Sequence, residues 1–344
     1  MSKFAAALIA WQRRHGRCGL PWQGTRDPYR IWLAEVMLQQ TQVAAVIPYY
    51  ERFLRRFPTL EALARADEDE VLKLWSGLGY YARGRNLLLA AKKITSELSG
   101  AFPDTAAAIG ELAGIGRSTA AAIAVFAFGK RAAILDGNVK RVLARVFGVD
   151  GWPGERTVED RLWALAERLL PKRDVGIYTQ ALMDLGATLC VRTSPLCEKC
   201  PVKRHCVARL ENRVGELPAP RPRRALPQRA LTWLVLLRNG QVLLERRPAP
   251  GIWGGLWSFP EGVAGNLASY CRRAFGCEIK AVRKLEPIEH GFTHFRLRIR
   301  PLLCDVGRMR ANAKAPECLW IDLADAAGAA LPAPAKKLVE RLAA

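Results

Sequence analysis

Leu112-Ala113-Gly114-Ile115-Gly116-Arg117-Ser118-Thr119-Ala120 reads as the end of one helix, a tight glycine turn and the start of a second helix. Gly114 and Gly116 permit backbone angles that a side chain makes costly, and their bare amides lie beside a helix N-terminus. Such a turn is a seat for a phosphate, and a helix-hairpin-helix built on it grips the DNA backbone without reading its sequence. The alternative is an ordinary connection between two helices of an all-α core.

Outward from this turn, apolar residues recur at helical spacing over Pro28 to Tyr50, Leu60 to Leu74, Ala82 to Leu98, Thr105 to Leu112, Ser118 to Phe128, Val139 to Phe147 and Val158 to Leu170. The first half therefore reads as all-helical, a domain over residues 1–211. Between Asn212 and Arg229, Pro218, Pro220, Pro222 and Pro227 alternate with Arg221, Arg223, Arg224 and Arg229, the composition of an extended, solvated linker over 212–229. Beyond it, Leu231 to Leu237 and Val242 to Arg246 flank Asn239-Gly240, a two-residue hairpin signal. Phe292 to Leu302 alternates Phe295, Leu297 and Ile299 with Arg296, Arg298 and Arg300, as a half-buried strand does. Residues 230–344 thus form a second, smaller α+β domain.

The composition favours a polyanionic partner. The 344 residues carry 53 Lys and Arg against 32 Asp and Glu, a net charge of +21. An arginine-rich composition typical of a GC-rich genome accounts for the same count, so charge alone says nothing about chemistry. No apolar run is long enough to span a bilayer. The opening MSKFAAALIAWQRRHGR carries no secretory signal, and nine cysteines is an odd number, which speaks against a disulfide scaffold and for a reducing, cytoplasmic home.

Four of those cysteines, Cys190, Cys197, Cys200 and Cys206, are separated by six, two and five residues. Thiolates converge that closely only where a cation or cluster offsets their repulsion. Structural zinc sites usually carry paired knuckles, whereas here only Cys197 and Cys200 form one. The longer reach of Cys190 and Cys206 suits a 4Fe-4S cluster, with zinc as the alternative.

Two carboxyls stand out in the helical half. Glu35 is the only acidic residue between Asp27 and Glu51, on a helix rich in Ile, Trp, Leu, Val and Met. Either it is a surface glutamate, or its apolar setting raises its pKa and makes it a general acid. Asp136, in Leu135-Asp136-Gly137-Asn138-Val139, stands at the mouth of the next helix, where an aspartate is by default an N-cap.

The order of hairpin, aspartate and four-cysteine loop resembles the helix-hairpin-helix superfamily of DNA base-excision glycosylases. Leu20-Pro21-Trp22, Asp27-Pro28-Tyr29, Trp32 to Val43, Gly77-Leu78-Gly79-Tyr80-Tyr81-Ala82-Arg83 and Leu135 to Asn138 narrow the likeness to the MutY-type adenine DNA glycosylases. The resemblance is dense through Cys206 and sparser beyond Arg229. It implies that Glu35 protonates an adenine flipped out of duplex DNA while ionised Asp136 stabilises the cationic sugar, with Asn138 orienting that aspartate or a sugar oxygen. It places Trp22 and Gln180 in the base pocket, Gln39, Gln40 and Tyr80 at the opened stack, and Gly114, Gly116 and Ser118 on the DNA. Relatives that also cut the strand carry a lysine where this chain has Ser118, so the expectation is a monofunctional enzyme that leaves an abasic site, with Lys140 too weakly placed to act as a lyase.

Gly251-Ile252-Trp253-Gly254-Gly255-Leu256-Trp257-Ser258-Phe259-Pro260-Glu261-Gly262 resembles the entry to a Nudix fold. Nudix hydrolysis needs a glutamate-bearing helix to hold Mg2+, yet Asn266 to Gly276 contains no acidic residue, so this domain is expected to bind rather than hydrolyse. By resemblance its target is 8-oxoguanine opposite the adenine. The family reads that lesion with a Phe-Ser-His loop, and this chain has Phe292-Thr293-His294, which keeps the hydroxyl and adds a methyl. The partner is therefore double-stranded DNA carrying adenine opposite 8-oxoguanine or guanine, bound by a monomer without a membrane. A non-catalytic iron-sulfur DNA-binding protein is the rival reading, and the intact Glu35 and Asp136 weigh against it.

Overall fold

The computed structural model describes residues 2–222, 225–248, 251–262, 265–309 and 317–343, so Arg223 and Arg224 of the linker lie outside the described residues. The backbone forms two compact units. One takes the chain up to Arg65 and resumes at Asn86 as far as the linker; the other combines Ala66–Arg85 with the C-terminal part.

In chain order the helices are α1 (Lys3–His15), α2 (Pro28–Leu38), α3 (Val43–Arg56), α4 (Leu60–Ala64), α5 (Glu68–Trp75), α6 (Ala82–Glu97), α7 (Ala106–Gly110), α8 (Arg117–Phe128), α9 (Gly137–Phe147), α10 (Arg156–Leu169), α11 (Val175–Asp184) and α12 (Val207–Leu210). The helix α2 starts because Asp27 accepts the N–H of Tyr29 at 2.9 Å and Pro28 occupies the first turn, where no N–H is needed. It then buries Tyr29, Ile31, Trp32, Leu33, Ala34, Val36 and Met37, so nearly its whole circumference faces protein. The apolar run expected as one helix from Pro28 to Tyr50 breaks over residues 39–42, where Gln40 takes a left-handed backbone (φ 56°) and α3 restarts at Val43.

The first unit's core joins Phe4, Leu8 and Ile9 of α1 to Val139, Val142 and Leu143 of α9 and to Tyr178 and Leu182 of α11. Burial on this scale contributes roughly 1.5–3 kcal/mol per large apolar side chain. The core therefore fixes α1, α9 and α11, and the residues at their ends, against one another.

The second unit is built on a mixed sheet of strands β1 (Gln228–Arg238), β2 (Gln241–Arg246), β3 (Trp257–Ser258), β4 (Cys277–Lys284), β5 (Ile288–Gly291), β6 (Arg296–Met309) and β7 (Cys318–Asp322). Its main path runs β3-β2-β1-β6-β4, with β5 paired to β6 and β7 to β2. The expected hairpin closes at Leu237↔Val242 and Arg238↔Gln241, with Asn239 and Gly240 both in the left-handed region. Strands β1 and β6 run parallel from Gln228↔Arg296 to Leu237↔Asp305. Alternation sends Trp233 and Val235 to one face with Leu338 and Val339 of α15 (Ala333–Ala343), and Leu234 and Leu236 to the other with Cys271 and Phe275 of α13 (Leu267–Phe275). A short α14 (Leu323–Ala326) follows β7. The strand expected from Phe292 begins at Arg296, because residues 292–295 turn the chain from β5 into β6. Within this unit Leu72 of α5 joins the sheet core, and the hydroxyls of Tyr81 and Ser76 donate to Leu331 O at 3.2 and 3.3 Å.

Candidate active site and nucleic-acid interface

A cavity of about 300 Å³ opens in the first unit, walled by Trp22, Ile31, Glu35, Phe126, Gln180 and Met183 among others. Trp22 is held edge-on against Tyr50, ring centroids 5.4 Å apart. Glu35 reaches the cavity from α2 and is half-buried. Burial first, and the nearby Asp136 carboxylate second, push its pKa up to about 8.

Asp136 caps α9, its Oδ1 accepting the N–H of Val139 at 2.7 Å. Burial pushes this carboxyl up as well, against the N–H groups of Val139 and Asn138 and the positive Arg141 and Lys140, which favour the anion. The helix N-terminus acts in the same sense. The donors and cations gather on Asp136 and favour its anion. Asn138 Oδ1 accepts from Arg141 Nη2 at 2.8 Å, and the same nitrogen donates to Gly186 O at 2.7 Å. The chain passes so near at Gly186 that a Cβ there would fall 2.6 Å from Asn138 Cβ, which only glycine avoids. The π-helical turn Leu185–Leu189 starts beside this close approach.

The glycine turn joins α7 to α8. Gly114 is left-handed (φ 77°) and a Cβ there would lie 2.8 Å from Asn86, while exposed Gly116 caps α8. Gln39 Nε2 braces the turn, donating to Thr119 Oγ1 at 3.4 Å and Gly114 O at 3.5 Å. Ser118 Oγ accepts the N–H of Leu135 at 2.9 Å. Lys140 Nζ lies 2.7 Å from Glu159 Oε1. In the second unit Tyr80 takes a left-handed backbone (φ 49°) and is 47% exposed.

Cys190, Cys197, Cys200 and Cys206 line one small cavity whose other walls are mainly apolar, among them Val142, Leu185, Leu189 and Val214. Arg145, 4% exposed, ties the loop to α9 by donating to the carbonyls of Val191, Arg192 and Leu217 and to the sulfur of Cys190 at 3.5 Å. Burial pushes the Cys200 thiol up to about 11 and raises Cys206, with the neighbouring cysteines adding to both. Among the described residues no three His, Cys, Asp or Glu side chains stand close enough to share a single ion.

In the turn after β5, Phe292 is half-buried, stacked on Phe295 at 4.4 Å between centroids and packed on Trp253 at 5.7 Å. Thr293 and His294 are exposed, 3.4 Å apart between Oγ1 and Nδ1. Helix α13 carries no acidic side chain.

Residues 33–168 match the family model for HhH-GPD superfamily base excision DNA repair proteins, and residues 232–341 match the NUDIX domain. An adenine DNA glycosylase of Buchnera aphidicola subsp. Baizongia pistaciae is 34% identical over 98% of this chain and 96% of its own. The chain belongs to the adenine DNA glycosylases. The human adenine DNA glycosylase is 33% identical over 98% of this chain and 73% of its own length. The structure of a thermostable thymine-DNA glycosylase, 31% identical, superposes with a TM-score of 0.55 over 60% of this chain and 95% of that one.

This glycosylase brings Trp22, Glu35 and Gln180 to one cavity and sets Asp136, Asn138 and Ser118 on the adjoining helix starts. It also recruits residues that sequence reasoning missed. Asp184, fully buried, accepts from Gln12, Arg17 and Gln180, three residues of the cavity wall. The available signal was the Gln180–Asp184 spacing of four on a helix, which puts both side chains on one face.

Proposed function

We propose that this enzyme is a monofunctional glycosylase that hydrolyses the N-glycosidic bond of adenine paired with 8-oxoguanine or guanine in double-stranded DNA, leaving an abasic site. The observation that carries this reading is Glu35, holding a proton near neutral pH on the wall of a cavity of about 300 Å³, near the helix-capping Asp136. Adenine leaves poorly as an anion, so Glu35 protonates the flipped base, at N7, and Asp136 stabilises the oxocarbenium-like sugar until water completes the hydrolysis. Asn138 steadies that geometry through Arg141. Trp22 and Gln180 line the pocket for the base. The exposed turn at Gly114 and Gly116 with Ser118 holds a phosphate, and Gln39, Gln40 and Tyr80 fill or brace the opened stack. The ion pair of Lys140 with Glu159 supports the absence of a lyase step, since a nucleophilic amine has to be free and neutral.

The four cysteines fit a 4Fe-4S cluster. Thiols buried this way stay protonated unless a positive centre offsets their charge, and a four-iron cube spreads its ligands wider than one zinc ion does. Bound there by Cys190, Cys197, Cys200 and Cys206, the cluster orders a basic loop with Lys199, Lys203 and Arg204 for the DNA backbone.

The domain limits proposed are 1–211 for the helical catalytic part, 212–229 for the linker and 230–344 for the lesion-recognition part. In the last, Phe292, Thr293 and His294 supply the contacts to 8-oxoguanine. The lack of an acidic residue on α13 supports binding over Mg2+-dependent hydrolysis. The enzyme acts as a cytoplasmic monomer on the nucleoid; among the described residues no helix is long and apolar enough to cross a membrane.

The test is single-turnover excision from a duplex with adenine opposite 8-oxoguanine, against adenine opposite thymine, by wild type, Glu35→Gln and Asp136→Asn. Fast wild-type excision at the lesion pair, lost in both variants, is the expected result. Equal rates at both pairs would overturn the lesion preference.

A further inference from the structure

Asp184 sits at the end of α11 with no exposed surface. Its Oδ1 accepts from Gln180 Nε2 at 2.9 Å and from Arg17 Nε at 2.8 Å, with Arg17 Nη2 at 2.7 Å. Its Oδ2 accepts from Gln12 Nε2 and from the backbone N–H of Arg17, both at 2.9 Å. Gln12, Arg17 and Gln180 all line the cavity that Glu35 borders.

An ionised carboxylate only accepts hydrogen bonds. The end of each amide that meets Asp184 is therefore its NH2 group, and this chemistry fixes which way Gln12 and Gln180 are turned. The carbonyl ends point away from Asp184. Gln12 Oε1 shows the consequence, being buried with no hydrogen-bond partner among the described residues. Asp184 thus draws the amide N–H groups of Gln12 and Gln180, and the guanidinium of Arg17, onto itself and leaves the two amide carbonyls behind.

We infer that Asp184 is a positioning residue that sets the hydrogen-bonding polarity of the base pocket, holding the Gln180 carbonyl, with Gln12 behind it, as an acceptor for a purine that carries an exocyclic amine. This rests on the adenine reading above. A 6-amino group offers two N–H donors to such a wall. A 6-oxo group offers a lone pair to a lone pair, and an unsubstituted C6 leaves the acceptor unpaired.

The experiment compares single-turnover excision of adenine, hypoxanthine and unsubstituted purine, each opposite 8-oxoguanine, by wild type and Asp184→Asn. Asparagine can donate, so the Gln180 amide is free to turn over. The adenine-over-hypoxanthine rate ratio is expected to fall roughly tenfold to hundredfold relative to wild type, since one acceptor would have become a donor. Removing the carboxylate leaves Arg17 without its partner, so the paired change Arg17→Gln with Asp184→Asn, which removes both charges together, is measured alongside. A merely structural role lowers all three rates in parallel. An unchanged ratio in whichever variant folds would overturn the inference while leaving the enzyme's reading intact. Failure of the wild type to excise adenine would overturn that reading itself.

Discussion

Ser118 Oγ, in the first turn of α8, accepts the backbone N–H of Leu135 at 2.9 Å, one residue before Asp136. The helix that follows the glycine turn is thereby bonded to the extended segment that delivers the carboxylate. Ser118→Ala leaves that N–H without its partner and is expected to cost about 1 kcal/mol of stability. It should also slow excision by roughly tenfold, because the loosened segment carries Asp136, and weaken duplex binding only modestly, since Gly114 and Gly116 of the same turn still hold the phosphate. Thermal unfolding and single-turnover rates measured together check this. Weakened binding with an unchanged rate would contradict it.

Glu35, with its pKa near 8, gives the pH dependence a definite sign. In the proposed mechanism its protonated form is the active one, so the excision rate is expected to fall about tenfold per unit as pH rises beyond 8. Stability follows the same group. The folded state keeps the proton up to about pH 8, whereas the unfolded chain releases it near 4.5, so wild type loses stability as pH rises between those values. Glu35→Gln removes the titration. Its stability relative to wild type should therefore improve between pH 5 and pH 8, by about 2–4 kcal/mol, while its activity drops by at least about a hundredfold. Denaturant midpoints at the two pH values decide it; a constant difference would mean that folding does not raise the proton affinity of Glu35.

Much of this was legible in the residues. Gly114, Gly116 and the apolar periodicity of α7 and α8 announced the hairpin because local backbone needs and side-chain spacing agree there. Asn239-Gly240 announced the β1–β2 turn for the same reason. Glu35 stood out as one acidic residue on an apolar helix, but its high proton affinity comes first from burial by the folded unit and second from Asp136, about a hundred residues away, and no local pattern carries either. The Asp184 network is illegible for a related reason: Gln12 and Arg17 lie at the end of α1 and just beyond it, and only the packing of α1 on α11 brings them to Asp184. The break at Gln40 was missed because a non-glycine residue with positive φ is set by tertiary packing and not by its own preference.

The Lys140–Glu159 pair predicts the fate of the product. A lysine whose nitrogen is engaged by a carboxylate is not free to attack an abasic sugar and forms no Schiff base at a useful rate. Borohydride added during turnover should trap no protein–DNA adduct, and strand scission at the abasic site should run at least about a hundredfold slower than adenine release, the scale of one lost nucleophilic step. Glu159→Gln tests the cause: any weak trapping should rise in that variant. Efficient trapping by the wild type would show that the chain is bifunctional.

The cysteine loop makes a prediction that does not involve activity. Protein purified without oxygen should carry iron and sulfide in equal amounts with visible absorbance, and Cys200→Ser should lose both. Arg145 would then hold a loop with no centre to wrap, and the loop's lysines and arginines would lose their fixed spacing. Duplex affinity should fall roughly tenfold to a hundredfold, and the slope of log affinity against log salt should shrink by about 0.9 for each phosphate that the loop ceases to neutralise. Stoichiometric zinc in the purified protein would replace the cluster with a zinc site.

The turn after β5 separates fold from recognition within three residues. Phe292 stacks on Phe295 at 4.4 Å and lies against Trp253, so Phe292→Ala is expected to destabilise the second unit by about 2 kcal/mol, below the range for a fully buried ring. Thr293 and His294 are exposed and carry little of that packing, so Thr293→Ala and His294→Ala should leave the melting temperature nearly unchanged. If they touch the lesion, each lowers the preference for adenine opposite 8-oxoguanine over adenine opposite guanine by roughly tenfold, the worth of one hydrogen bond to a partner left unpaired. The rate with guanine opposite is the internal control, since these side chains are proposed to address the base across from the adenine. A matched loss at both pairs would make His294 a ligand of the DNA backbone and leave lesion reading to another part of the sheet.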